Sequence, residues 1–122
     1  MIADKEIWIA KRRKIVTNEY GQEIEYFDKP QRYYINYQPV SGYTSYLLYG
    51  DKVTSVYRAF VDRNMECVFN IGDKVYLNDG TMKANQLEKI AKSDNEFCEK
   101  ANYVINIVLP QNFKIRVDFI KI

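Results

Sequence analysis

The sequence predicts a mainly β domain: a small antiparallel β-barrel of six or seven strands with one or two short helices. Three observations lead there. Phe113, Ile115, Val117 and Phe119 alternate with Lys114, Arg116 and Asp118, the period-two pattern of a strand with one buried and one wet face. Tyr103 to Leu109 is apolar at nearly every position, as in a central strand covered on both sides. Pro110-Gln111-Asn112 joins these two runs as a turn, and similar short runs separated by turn residues fill the chain without repeats or a linker.

Taken in order, Met1 to Asp4 is a lead-in and Lys5 to Thr17 a first strand. Its middle, Lys11-Arg12-Arg13-Lys14, puts two cations on each face, so it must project beyond the core or lie on an edge. Asn18 to Gln22 is a turn with Gly21 placed for positive φ, and Ile24 to Phe27 returns as a strand. Lys29-Pro30 breaks that strand, and Arg32 to Val40 is the next. Lys52 to Val61 is a further strand, followed by a turn or single helical turn over Asp62 to Glu66. Phe69 to Asp73 turns into Lys74-Val75-Tyr76-Leu77, which Asn78-Asp79-Gly80 ends. Asn85 to Lys92 carries Leu87, Ile90 and Ala91 at helical spacing, and Ser93-Asp94-Asn95-Glu96 has the form of a capping box for a helix through Ala101.

Residues 1–122 make one domain, long enough to bury roughly two-thirds of the unfolded surface. A composition of 47% hydrophobic and 28% charged residues excludes a largely disordered chain. The net charge of +2 is too small to advertise nucleic acid, and no apolar run approaches the ~20 residues of a membrane span, so no membrane contact is expected. Cys67 and Cys98 fit no metal spacing and read as cytoplasmic free thiols. The chain has no histidine, which removes the commonest general base and metal ligand. Its five glycines are isolated, so no loop cradles a phosphate. The expectation is a non-enzyme with no catalytic, metal-binding or cofactor-binding residue and no cofactor.

One segment stands apart. Ser41, Gly42, Tyr43, Thr44, Ser45, Tyr46, Leu47, Leu48, Tyr49 and Gly50 carry no charge, are bracketed by glycines and include three tyrosines. They read either as a short core strand or as an interface that other subunits cover. Tyr33, Tyr34 and Tyr37 read as a pleated surface favouring aromatics or, with Lys11 to Lys14, as a base-stacking platform. Acidic residues spread through the same region favour the former.

The order of these pieces resembles the head-closure (stopper, or head–tail joining) proteins of long-tailed bacteriophages. The residues that carry the likeness are Asn18 to Glu25, Pro39-Val40-Ser41-Gly42, Phe69 to Tyr76, Ala101 to Val104 and Leu109 to Asn112. They span most of the chain and are structural turns, not catalytic signatures; Gly80 to Lys100 is longer than the family pattern. The resemblance implies a subunit that is monomeric when free and forms a homo-oligomeric ring, dodecameric in the virion, below the portal or adaptor ring. Such a ring closes the DNA exit channel after packaging, touches the double-stranded DNA there non-specifically, and offers the tail completion protein its docking surface. It further implies assembly in the host bacterial cytoplasm and residence in the virion neck, with Ser41 to Gly50 as the channel loop. A tail-terminator or adaptor ring of the same neck is the nearest alternative. A single-stranded nucleic-acid-binding barrel is a second, and an enzyme the most remote.

Overall fold

A computed structural model describes residues 5–40, 56–80 and 86–122. Among the described residues the chain is mainly β. Its strands are β1 (Lys5–Ala10), β2 (Arg12–Thr17), β3 (Glu23–Phe27), β4 (Gln31–Ile35), β5 (Tyr37–Pro39), β6 (Val56–Asp62), β7 (Lys74–Leu77), β8 (Tyr103–Pro110) and β9 (Lys114–Lys121). A 3-10 helix covers Arg63–Val68, overlapping the turn or single helical turn expected over Asp62 to Glu66, and one α-helix, α1, covers Gln86–Ser93.

Seven strands form one antiparallel sheet in the order β4-β1-β7-β8-β9-β6-β5, and β2 pairs with β3 in a separate ribbon. The strands outnumber the six or seven expected because two expected strands each break at one residue. The first breaks at Lys11, whose carbonyl accepts the Asp28 amide, and the Arg12 amide donates to Asp73 Oδ1 instead of continuing the ladder. The other breaks at Asn36: β4 pairs with β1, whereas β5 pairs with β6.

The expected barrel does not close. Its outer strands β4 and β5 are consecutive in sequence, so the curled sheet brings its two edges onto one chain. Among the described residues no ladder joins β4 to β6, however, and a seam stays open between them.

The main core packs Ile7, Ile9, Val75, Leu77, Ile105, Ile115, Val117 and Phe119 inside the curl. A second cluster, Trp8, Ala10 and Tyr76 with Phe27, Leu87, Ala91 and Cys98, lies on the opposite face of β1 and β7. Covering on both faces explains why Ile7 to Ala10 and Val75 to Leu77 are continuously apolar. Each fully buried side chain of this size stabilises the fold by roughly 1.5–3 kcal/mol.

Three local readings need correction. The helix expected from Ser93 to Ala101 is absent: α1 ends at Ser93, and Asp94 and Asn95 bind the amides of Asn95, Lys100 and Phe97 through their side chains. Such local bonds compete with helix and win here. Phe113 leaves the buried face and is 86% exposed at the tip of the β8–β9 hairpin. β8 is central, but a bulge between Ile105 and Ile107 exposes Asn106 and leaves only its first half buried.

Asp73 is a buried carboxylate that ties the sheet to the ribbon. Oδ1 accepts the Arg12 amide at 2.9 Å, its carbonyl accepts the Ile105 amide, and Oδ2 has no partner. The preceding Gly72 has φ +95°, and a Cβ there would sit 2.8 Å from the Arg12 guanidinium. Burial pushes the Asp73 carboxyl above its ordinary range, against the pull of the Arg12 amide, Asn70 and the Lys11 and Arg12 charges. A raised folded pKa means that this group's stabilisation is complete below its unfolded pKa and fades as pH rises through the folded one. Asp73→Asn, which keeps an acceptor and cannot ionise, should therefore match or exceed wild-type stability at neutral pH, with the difference shrinking on acidification. Asp73→Ala orphans the Arg12 amide and should cost about 1–3 kcal/mol. Denaturant titrations across the acid range check both; equal losses for Asn and Ala would contradict this account.

Candidate functional site

Ser41 to Gly50 lies outside the described residues, which do show where the chain leaves and re-enters the sheet. β5 and β6 form an antiparallel pair with Tyr37 opposite Ala59 and Pro39 opposite Tyr57, and the Val40 amide donates to the Val56 carbonyl at 3.0 Å. Residues 41–55 are thus the connection between two neighbouring strand ends. Val40 and Val56 are both buried.

Aromatic packing locks this root. Tyr57 stands edge-on to Tyr37 and to Tyr103, with centroids 5.4 and 5.6 Å apart. Tyr37 donates its hydroxyl to the Asn78 carbonyl and Tyr103 donates its own to Asp79. The Lys5 ammonium lies 4.7 Å from the Tyr37 ring centroid. Burial, then the neighbouring Tyr57, pushes the Tyr37 phenol up to about 12. Asn102 joins β7 to the start of β8 by bonding Leu77 twice, amide to Oδ1 and Nδ2 to carbonyl.

On the outer face of β6 and β9, Asp118 was expected to be wet and is instead fully buried. Arg58, directly opposite on β6, grips it with two bonds at 2.9 and 3.2 Å, and Arg116 adds a second pair. Bidentate, charge-assisted contacts of this kind hold a carboxylate that burial alone would penalise. The cross-strand pair Asp62–Lys114, at 2.6 Å, continues the row.

The seam lies beside these residues. A cleft of about 330 Å³ is lined by Asn36, Gln38, Pro39, Val40, Arg58 and Phe60. A second, about 250 Å³, continues past Asn36 and Phe60 to Tyr34, Asp62, Met65 and Lys114. Asn36 Oδ1 is buried there without a hydrogen-bond partner.

The base-stacking platform, the alternative that the sequence disfavours, does not assemble as one surface. Tyr37 is buried in the core and Tyr33 packs against it, leaving Tyr34 alone exposed. The four cations Lys11 to Lys14 do project from the core, as expected, and each is engaged by the protein. Lys11 donates to the Cys67 carbonyl, Arg12 pairs with Glu25, Arg13 pairs with Glu96, and Lys14 sits over Tyr26. Cys67 is an exposed free thiol and Cys98 a buried one. Among the described residues no group of three or more Cys, Asp or Glu could hold a metal ion. No helix there is long and apolar enough to cross a membrane.

No local pattern marks the seam or the Asp118 clamp, since both depend on pairing partners distant in the chain. Comparison with protein-family models, curated proteins and solved structures finds no match to this chain.

Proposed function

We propose that this chain is a structural subunit of a bacteriophage neck. It assembles as a ring below the portal or adaptor, closes the DNA exit channel after packaging and offers the tail its docking surface. The observation that carries this reading is the rooting of residues 41–55. This connection joins two neighbouring strand ends of a mainly β domain, which a row of three tyrosines fixes, and it contains the uncharged, Tyr- and Leu-rich stretch Ser41 to Gly50. Fifteen residues anchored at both ends reach no more than roughly 25 Å from their root, enough to contribute to a central constriction from each member of a ring.

The energetics suit an assembly switch. Ordering the ten residues Ser41 to Gly50 opposes folding by about 10–20 kcal/mol of backbone entropy, which identical loops meeting on an axis can offset by mutual burial. The near-absence of charge keeps DNA from sticking to the pore. A mobility shift with steep salt dependence would favour the nucleic-acid-binding alternative, whose cations are here engaged by Glu25, Glu96 and Tyr26.

The test is add-back. DNA-filled heads that lack this chain should leak DNA, and purified subunits should bind them and stop the leak. Subunits that fail to bind, or heads that hold their DNA equally well without them, would refute the proposal.

A further inference from the structure

Two unpartnered features of this fold complement each other. The first is the seam: among the described residues β4 pairs only with β1, and β6 beyond Ala59 pairs only with β9. Between them lie a buried acceptor with no donor, Asn36 Oδ1, and two flanking aromatics, Tyr34 and Phe60, 56% and 53% exposed. Extended backbone is the chemistry that answers this: amide donors for Asn36 and the strand edges, and one or two apolar side chains for clefts of about 330 and 250 Å³. Nucleic acid fits poorly, because Lys114 is paired to Asp62 and Arg58 to Asp118.

The second feature is the ribbon. Among the described residues β2 pairs only with β3, all six residues of β2 are exposed, and Ile15 and Val16 stand out at 46% and 40%. A lone two-stranded ribbon is at best marginally stable in water. Its base is held on the α1 side by Arg13–Glu96, Tyr26–Phe97 and the Phe27 amide to the Glu96 carbonyl, none of which belongs to the seam.

We propose that the seam between β4 and β6 receives the β2–β3 ribbon of a second copy of this chain. The contact deepens the ring reading by naming its two faces and rests on that reading. Because the faces differ, the contact is head-to-tail, the kind that closes into rings when the rotation per subunit permits. Each subunit then completes the hydrogen-bonded ladder that its own chain leaves open.

Cross-linking tests this on the full chain. In a Cys67→Ser background, one variant carries Val16→Cys on the ribbon and another carries Tyr34→Cys at the seam, both at exposed positions. Mixed and mildly oxidised at the highest soluble concentration, they should give a disulfide-linked heterodimer of one chain of each kind. Adding Phe60→Asp to the seam variant should remove most of that product while its circular dichroism stays native. No heterodimer from the mixture overturns the proposal, as does abundant homodimer from Val16→Cys alone, which would mean ribbon meets ribbon. If virion rings form normally from chains carrying Ile15→Asp and Val16→Asp, the neck reading stands and this contact falls.

Discussion

Shortening Ser41 to Gly50 to a Gly-Ser turn is expected to leave the melting temperature of the free subunit unchanged and to abolish DNA retention in particles. The two core clusters of the described residues draw on strands outside this stretch, so the subunit keeps its fold. The loss arises only where subunits meet. Leu47→Asp should act the same way: in the proposed loop role it changes the stability of a lone subunit by no more than about 0.5 kcal/mol. In a ring it brings identical carboxylates together on the axis, where like charges about 4 Å apart repel by roughly 1–4 kcal/mol per pair, depending on the local dielectric. Such particles should package DNA and lose it before tails attach. Melting curves of the subunit and DNA content of tail-less particles provide the comparison. Two variants that both retain DNA would move the loop to some other contact.

Phe119→Asp or Val117→Asp should yield no folded protein. Both side chains are completely buried, Phe119 packing 6.4 Å from Phe69 and Val117 opposite Ala59. Either change removes roughly 1.5–3 kcal/mol of burial and places a carboxylate where nothing can pair with it. Marginal stabilities of about 5–15 kcal/mol do not survive burying an ionised carboxylate without a partner, and keeping the group protonated at neutral pH carries its own cost. Soluble expression and far-ultraviolet circular dichroism decide the matter. A native spectrum for Phe119→Asp would mean that β9 is not the core strand described.

Much of this fold was legible because local chemistry dictates it. The alternation at Ile115, Val117 and Phe119 is β9, Leu87 and Ala91 mark α1, and Gly21 with φ +78° sits in the turn its type demands. The cation run correctly announced a segment outside the core. What stayed hidden depends on partners far away in sequence. From Tyr33 through Ile35 to Tyr37 the inward alternation never falters, so nothing local marks Asn36 as the place where the strand changes neighbours. Asp118 obeys the wet-face rule by sequence and is buried beneath Arg116 and Arg58, the latter sixty residues earlier and opposite on β6. The capping box at Ser93 failed because Asp94 bonds Tyr76, Lys100 and Asn95 in place of a new helix. Ser41 to Gly50, which the sequence singles out most strongly, lies outside the described residues.

The proposal that this chain is a neck ring is tested most directly by imaging virions purified from cells that carry its gene, with the chain bearing a small epitope beside its exposed Ile122. The account predicts antibody label confined to one collar between head and tail, around a symmetric ring of this chain set between the portal or adaptor and the tail. Virions without the chain, or label on the capsid shell or the tail tip, would contradict it.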